Sequence, residues 1–550
     1  MFVGRFVRRA VPVLSTTALF VGSGLVAPGT ALAAPAGWTA PQGIPGTVGQ
    51  ANPVSSTAPN GTDLVVWINP GSTSGAQIKA RIRLAGRSTW QRVPARVDNE
   101  PSVQDMVLAP TSGGDFWLSW VQYAGQPEVY AMRLDSRTRR WSKPTPVFHQ
   151  PGYGHGGPSL AVAGNGTIVI AAYAPPDTPT TPPTYRVVVA TRSPGGAWRT
   201  HFLSPASQHA GGEAVAVNSS GQVLVSFIQG YNLSEMTVMA ATRSAKPSAT
   251  WHVHRLSKVG DSQRAHPALG DDGTAAVAWS ATSTSFDAVR LSTAHLGHGT
   301  PAWTRRNVAT GVPSVVDAYP VVTKDGQTTT VWTQSSSGQQ VLWSRNLIGT
   351  SLGAPLQLSP DGMTAVVDAF KLRADGKAAL MYQLFSNGPL TNQGLRLRVL
   401  RHGVSGPAVD LTESSDGSVN SPALGVDAAS RSTVIWTRGD YPGTDFAWLG
   451  QVVAKPSVMS GPSSGHLVRR ASVTGVARVG KTVTCASGYW VETSGLDYRW
   501  LRNGSRIHGA DGPRYRLVGA DSHRRISCRV TASNFSGIDH VLRSRTRRVR

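Results

Sequence analysis

The chain has little cysteine, little acidic residue and only one long apolar run. Of its 550 residues 2 are cysteines, and 30 Asp and Glu stand against 53 Lys and Arg, so the formal net charge is +23. Two cysteines exclude a cysteine-rich scaffold or a multi-thiolate metal centre. With 40% hydrophobic residues the chain is not disordered. The excess of positive charge predicts attraction to polyanions and says nothing about fold.

The one long apolar run lies at the N-terminus. Arg5, Arg8 and Arg9 precede the apolar segment 11–28, and Ala31-Leu32-Ala33 supplies small residues for cleavage. This order predicts a secretory signal peptide over 1–33 and no transmembrane segment after its removal. We therefore expect a secreted protein, extracellular or loosely associated with the cell wall.

A convincing helical period is also missing, and a repeat takes its place. Short turns such as Asp271-Asp272-Gly273 lead into alternating strands that close on an aromatic residue. Eight such residues recur about every 53 positions, a spacing typical of propellers and solenoids: Trp67, Trp120, Tyr173, Phe227, Trp279, Trp332, Tyr382 and Trp436.

Each repeat divides into four short strands. In the third repeat they fall at 158–164, 167–173, 185–192 and 198–204, separated by turn residues. A Trp opens the fourth strand of the first five repeats. The pattern predicts an all-β protein whose residues 36–455 form a β-propeller of eight blades, with seven as the alternative. The last repeat lacks a fourth strand, and the segment around Trp38 predicts its replacement, closing the ring.

The common catalytic and metal motifs are absent. The sequence contains no HExxH, P-loop, paired CxxC or EF-hand pattern. We accordingly predict no metal and no cofactor. An exported propeller without a reading motif predicts no specific nucleic-acid partner, and a monomer is expected.

Polar residues enter the innermost strand of most repeats. Propeller geometry places such positions around one mouth of the central channel, where concave ligand sites form. Carboxylates, a histidine and a tyrosine could bind sugar hydroxyls or a cation, and a pair of carboxylates could perform glycosidic acid/base chemistry. The alternative is solvated loop residues beside prolines. The candidates are Asn52, Glu100, Glu213, His266, Asp317, Tyr319, Asp368 and Asn420.

One turn resembles a known family. The segment Thr191–Trp198, TRSPGGAW, resembles the Asp-box turn of the sialidase-like β-propeller superfamily, with Thr191, Gly195 and Trp198 matching and Ser193 in place of its Asp. The resemblance implies a propeller fold. Sialidases of this superfamily use an arginine triad, a Tyr–Glu nucleophile pair and an Asp acid/base, and no residue of this chain can be assigned to those roles.

After residue 455 the composition changes. Residues 456–469 are rich in Pro, Ser and Gly and predict a linker. Cys485 and Cys528 lie beyond it, and an even pair in an exported chain favours a disulfide. Residues 470–550 resemble bacterial Ig-like repeats. The residues that carry this resemblance are Gly475, Val479-Gly480-Lys481, Gly488, Trp490, Tyr498, Trp500, Asn503-Gly504, Ile507, Gly509-Ala510, Tyr515 and Ala520-Asp521. The order Cys485, Trp500, Cys528 follows the Ig core, a disulfide packed on a Trp.

Three functions are compatible with these features. The first is an extracellular binding or adhesion protein whose propeller takes a glycan or protein ligand without catalysis, retained near a cell-wall polyanion. The second is a sialidase-like exo-glycosidase acting on extracellular glycans, an expectation based on fold analogy. The third is a structural surface protein.

Overall fold

A computed structural model gives the structure of the chain. It describes residues 38–39, 42–47, 53–69, 77–95, 102–124, 126–148, 157–174, 184–231, 235–246, 248–260, 264–281, 287–297, 299–324, 326–336, 338–360, 362–386, 392–401, 404–412, 419–438, 445–450, 467–469, 472–486, 489–490, 493–534 and 539–550. The predicted signal peptide lies outside these residues.

The described residues form strands and one 3-10 turn, Gly519–Asp521, without an α-helix. In the described ranges no helix has the length and apolar character needed to cross a membrane. The first half of the propeller contains β1 (Gln42–Gly43); blade 1 with β2 (Val54–Thr57), β3 (Asp63–Asn69), β4 (Gln77–Arg83) and β5 (Gln91–Val93); blade 2 with β6 (Ser102–Pro110), β7 (Phe116–Ala124), β8 (Gln126–Asp135), β9 (Arg140–Trp141) and β10 (Thr145–Pro146); blade 3 with β11 (Ser159–Val162), β12 (Ile168–Ala174), β13 (Arg186–Arg192) and β14 (Arg199–Phe202); and blade 4 with β15 (His209–Val217), β16 (Val223–Gly230), β17 (Thr237–Arg243) and β18 (His252–Arg255).

The second half repeats this arrangement. Blade 5 contains β19 (Ala265–Leu269), β20 (Thr274–Ala281), β21 (Asp287–His295) and β22 (Thr304–Val312); blade 6 contains β23 (Val315–Val322), β24 (Thr328–Ser336), β25 (Gln339–Ile348), β26 (Ser351–Leu352) and β27 (Leu356–Gln357); blade 7 contains β28 (Met363–Leu372), β29 (Ala378–Ser386), β30 (Asn392–Arg401), β31 (Val404–Ser405) and β32 (Val409–Asp410); and blade 8 contains β33 (Val419–Val426), β34 (Ser432–Arg438) and β35 (Asp445–Gly450).

The eight sheets form a closed ring. In every sheet neighbouring strands are antiparallel, and the first strand of each blade contacts the first strand of the next. This sequence of contacts runs from β2 through β6, β11, β15, β19, β23, β28 and β33, and β33 contacts β2 again. The prediction of an all-β propeller with eight blades is confirmed.

The N-terminal strand completes blade 8. Strand β1 pairs with β35, so Gln42 lies opposite Trp448, and the sheet order is β1-β35-β34-β33. Trp38 is 6% exposed and packs in one cluster with Leu424 and Trp436. The predicted closure is confirmed, and it removes an open sheet edge.

The repeated turn joins the first two strands of each blade. In blade 3 the Gly166 N–H donates to the Ala163 oxygen at 2.9 Å, and the Ala163 N–H donates to the Thr167 oxygen at 2.8 Å. Gly166 has φ +84°, where a side chain is strained. The connection is thus a three-residue hairpin loop, a turn followed by a left-handed residue. Blade 8 tolerates Ser430 at this position with φ +60°.

These turns also bind one another across blade boundaries. Asn165 Nδ2 donates to the Ser220 oxygen at 2.8 Å, and the ring is completed where the Ala428 N–H donates to the Pro59 oxygen at 2.7 Å. Other junctions carry Asn60 to Gly113, Ser112 to Gly164, Ser219 to Asp271, Lys324 to Ala374 and Asp375 to Ser430. The polar residues of the turn therefore recur because they connect neighbouring blades at the far end of the first strands.

The hydrophobic core lies between neighbouring blades. Seven of the eight closing aromatics are at most 2% exposed, and Tyr173 is half-buried against Tyr185 with ring centroids 5.4 Å apart. Trp90, Trp198, Trp251 and Trp303 immediately precede the fourth strands, and Trp141 lies within β9. In blades 6 and 7, where this Trp is missing, the outer strand breaks into two-residue pieces.

The C-terminal unit contains two larger sheets and one short pair. Strands β37 (Ser472–Thr474), β38 (Thr482–Ala486) and β42 (Arg514–Arg516) form one sheet; β40 (Thr493–Arg502), β41 (Ser505–Arg506), β43 (Arg525–Asn534), β44 (Asp539–Arg543) and β45 (Arg547–Arg548) form the other; β36 (Leu467–Arg469) pairs with β39 (Tyr489–Trp490). Strand β36 falls within the predicted linker 456–469, whose residues up to 466 lie outside the described ranges.

The predicted disulfide is present and joins the two larger sheets. Cys485 in β38 is bonded to Cys528 in β43, with Cα atoms 6.0 Å apart. Trp500 is fully buried opposite Cys528, and its Nε1–H donates to the Gly512 oxygen at 2.9 Å. The core of this unit is therefore built around one disulfide and one Trp.

Candidate functional site

The first strands enclose a channel that water reaches. All four residues of β11 are half-buried, and in β15 only Ala210 is fully buried. A strand packed on both faces would be buried throughout, as β20 nearly is. The inner strands are also rich in Ala, Gly and Val, whose small side chains leave the centre of the ring open.

β-bulges interrupt several inner strands near the N-terminal mouth of this channel. A bulge sets two residues against one and turns a side chain away from the regular alternation. The register shifts in β6, β15 and β33 stand opposite the closing aromatic of the second strand, and the shift in β28 directly follows it; that of β23 lies just before Asp317. The bulged segments include Asp105, Glu213, Val316, Asp368 and Ser421.

His266, Asp317 and Tyr319 form a hydrogen-bonded cluster across blades 5 and 6. His266 Nε2 lies 2.9 Å from Asp317 Oδ1, the Tyr319 hydroxyl donates to Asp317 Oδ2 at 3.0 Å, and the two rings lie 4.3 Å apart. Because the carboxylate accepts from Nε2–H, Nδ1 is left as an acceptor. Burial, and then the Asp317 charge, raises the pKa of Tyr319, so it stays a donor.

Glu213 lies one blade before this cluster. Its Oε2 atom is buried and bonds to none of the described residues. Burial raises the pKa of Glu213 to about 8, opposed by its own backbone N–H and that of Tyr173. At neutral pH this carboxyl is therefore protonated, and it offers both a donor and an acceptor.

Asp368 lies one blade after the cluster. Gln383 Nε2 donates to its Oδ1 at 3.0 Å, whereas Oδ2 is buried and has no hydrogen-bond partner in the described part of the chain. Burial raises the pKa of Asp368 to about 7, and the Gln383 hydrogen bond lowers it. Its charge also contributes to the raised pKa of Tyr319, so the two groups share one electrostatic environment.

The other sequence candidates are placed differently. Asn420 is exposed next to the bulge of β33, while Asn52 and Glu100 lie outside the described residues. Asp105 is not among the sequence candidates, yet it is an exposed bulge residue with φ +50° that contacts Gly157 of the next blade. A signal was available, because Asp105 precedes Trp120 by the same interval as Asp317 precedes Trp332.

The mouth differs from an anion site in its charges. None of the eight first strands contains an arginine. The described residues also include no group of three or more His, Cys, Asp or Glu side chains arranged to hold a metal ion. The arrangement suits a ligand that exchanges hydrogen bonds with neutral carboxyls, a phenol and an imidazole.

Glu213→Gln should stabilise the propeller at alkaline pH. Between the ordinary Glu pKa of 4.5 and about 8, the unfolded chain releases a proton that the folded protein retains, so wild-type stability falls as pH rises through this window. We expect the substitution to recover about 2 kcal/mol at pH 8, part of the full pKa difference because channel water screens the charge. Chemical unfolding at pH 4, 6 and 8 measures it. Glu235→Gln, exposed in the same blade, should change nothing. An unchanged pH profile in Glu213→Gln would contradict the assigned burial.

No family model matches the chain, and no curated protein does. Solved structures match at low identity. They include a fungal alcohol oxidase of the AA5 family in complex with copper, at 12% identity and TM-score 0.38 over 92% of this chain and 99% of that one. The β-propeller domain of the Trilobed protease from Pyrococcus furiosus matches at 9% identity and TM-score 0.37, covering 67% of this chain and 99% of that one.

The matches also include a glycosidase. A mutant of the α-L-arabinofuranosidase Arb93A from Fusarium graminearum, in complex with an iminosugar inhibitor, is 12% identical with TM-score 0.32, and the match covers 54% of this chain and 93% of that one. At these identities and TM-scores the likenesses carry no argument about the chemistry of the mouth.

Proposed function

We propose that the protein binds an extracellular glycan at the channel mouth without catalysis. The observation that supports this most strongly is the run of Glu213, the His266–Asp317–Tyr319 cluster and Asp368 over four consecutive blades, with buried carboxyl oxygens left without partners. Sugar hydroxyls both donate and accept, and they match such unpaired groups. The lack of inner-strand arginine favours neutral sugars over acidic ones at this site.

Binding to an array of defined glycans tests the proposal. The purified mature chain should bind neutral glycans, and Glu213→Gln and Asp368→Asn should each weaken the strongest signal about tenfold, the value of one buried hydrogen bond of this kind. Asp511→Asn, an exposed carboxylate of the C-terminal unit, is the matched control. Equal binding by all four proteins would refute the assignment of the site.

The same interaction should depend on pH. A ligand oxygen that accepts the Glu213 proton loses its donor as pH rises through about 8, so affinity should fall there and stay level between pH 5 and 7. Titration calorimetry with the best array glycan measures the profile. In Glu213→Gln the amide keeps a donor at every pH, and the fall near pH 8 should disappear. Affinity that rises with pH would contradict this role.

Glycoside hydrolysis is the second candidate function. It is favoured by one observation: Glu213 carries its proton at neutral pH, as a general acid must. A panel of fluorogenic glycosides, including a sialoside, tests it. Turnover that disappears in Glu213→Ala and Asp368→Ala would make the protein an enzyme. Absence of turnover across the panel leaves binding as the function.

Retention at an anionic cell envelope accompanies the binding proposal. The supporting feature is a basic C-terminal unit, which we propose is Ig-like and acts as a spacer. Its arginines include Arg524, Arg525, Arg529, Arg543, Arg545, Arg547, Arg548 and Arg550. Charge attraction of this kind weakens with salt. Retention of the secreted protein on cell walls should therefore fall between 0.05 and 0.5 M salt, and retention that ignores salt would contradict it.

A further inference from the structure

A second concave site lies at the outer edge of the propeller, between blades 2 and 3. Its cavity measures about 340 Å³ and is lined by Thr145 and Pro146 of β10 on one side and by Arg192, Gly196, Ala197 and Trp198 on the other. This volume falls in the range of about 300–1,000 Å³ that small-molecule pockets occupy. We name it the outer cleft. It is formed by the turn that resembles an Asp-box, and it is separate from the channel mouth.

Arg192 is held rigidly in this cleft. Its Nε donates to the Gly196 oxygen at 2.8 Å, and its guanidinium carbon lies 5.4 Å from the Trp117 ring and 5.8 Å from the Trp198 ring. The two Trp rings meet edge to face at 6.2 Å. Aromatic rings on both sides fix the guanidinium and reduce its hydration, which prepares it for an anion.

Arginines on third strands recur in the propeller, and most use their side chains within the fold. Each of Arg243 and Arg345 also donates its Nε to a carbonyl in the following turn. In those blades the terminal nitrogens have acceptors too: Arg243 Nη2 donates to the Lys246 oxygen and Arg345 Nη1 to the Val308 oxygen. Turn support therefore explains the Nε bond of Arg192 but not its terminal nitrogens.

Arg192 differs at these terminal nitrogens. No described residue accepts a hydrogen bond from its Nη1 or Nη2, and no described carboxylate pairs with it, whereas Arg83 in blade 1 pairs with Asp63. The two N–H pairs form a fork that matches one carboxylate. Beside the fork, Trp198 and Pro146 present apolar surface, which suits the face of a sugar ring.

We propose that the outer cleft binds a hexuronic acid residue of an acidic polysaccharide, with its carboxylate on Arg192 and its ring against Trp198. The net charge of +23 attracts such a polyanion to the protein before the cleft selects its carboxylate. The site adds an acidic sugar specificity that the channel mouth, without arginine in its inner strands, does not provide.

Calorimetry with the mature chain and tetragalacturonate at 0.15 M salt tests this inference, with the fully methyl-esterified tetramer as the neutral probe. The acid should bind and the ester should bind at least about tenfold more weakly, because a charged hydrogen-bonded pair is lost. Arg192→Gln should lose the same factor. Arg243→Gln removes the same charge and the same kind of Nε bond one blade away, and it should retain wild-type affinity.

A blocking variant separates binding from folding. Ala197→Trp fills the cleft from an exposed position without touching the charge of Arg192, and it should also abolish binding. Thermal unfolding confirms that each variant is folded, and if Arg192→Gln is not, Ala197→Trp decides. The proposal is overturned if the wild type does not bind the acid at millimolar concentration, if the ester binds equally, if Arg243→Gln loses as much as Arg192→Gln, or if the blocked cleft still binds.

Discussion

Trp38→Ala should lower the free energy of unfolding of the propeller by about 3–5 kcal/mol, the cost of removing a large buried aromatic. Trp38 is 6% exposed, although it lies outside every repeat. It packs with Leu424 and Trp436 of blade 8 and with residues of blade 7. The substitution thus leaves a cavity at the one place where the two ends of the propeller chain are joined, and it weakens the docking of β1 on β35.

Denaturant unfolding followed by Trp fluorescence measures this loss, and Trp90→Ala is its matched control. Trp90 is half-buried before the fourth strand of blade 1, so its loss should cost less. Because an undocked β1 exposes the edge of blade 8, Trp38→Ala should also aggregate faster on warming, while Trp90→Ala should not. Similar losses in both variants would mean that the N-terminal segment contributes little to ring closure.

The blade count and the closure are predictable because they rest on local and repeated signals. A turn residue with positive φ, a β-branched strand and a closing aromatic lie within about ten residues of one another, and each recurrence is an independent observation. Counting strands then shows that the last repeat is one strand short. The N-terminal segment at Trp38 is the available replacement, and an open sheet edge is unfavourable.

The bulges could not be predicted in this way. A bulge is a property of the pairing of two strands, since it sets two residues against one, and alternation within a single strand does not reveal it. The polar residue before a proline therefore selected Glu100 in blade 2, while the bulge opposite Trp120 presents Asp105. In blades 5 and 6 the strand entry and the site coincide, so His266 and Asp317 were selected and the structure brings them together.

The protonation of the mouth is likewise a property of the assembled ring. Glu213 and Asp368 look like ordinary carboxylates in the sequence, and their pKa values rise because the surrounding strands take water from them. The outer cleft also needs two blades, because Thr145 and Trp198 are brought together only when blade 2 packs on blade 3. Both sites therefore follow from packing between repeats rather than from any one repeat.

Replacing Cys485 and Cys528 together with Ala should destabilise the C-terminal unit by about 4 kcal/mol, the chain entropy lost by closing a loop of 43 residues. For a unit of this size that corresponds to a fall of roughly 15–30 °C in its Tm. The bond connects β38 to β43, and Trp500 packs fully buried beside it, so the two larger sheets lose their covalent connection at the centre of their core.

Differential scanning calorimetry of the full mature chain resolves the effect if the C-terminal unit unfolds in its own transition, which should move while the propeller transition stays fixed. A reductant should shift the wild-type transition as the double substitution does, and it should have no effect on the substituted protein. This comparison separates the cross-link from the packing of the sulfur atoms, because reduction breaks the bond and keeps both side chains. A wild-type transition that is unchanged under reducing conditions would show that the two sheets are held together by the core around Trp500 rather than by the disulfide.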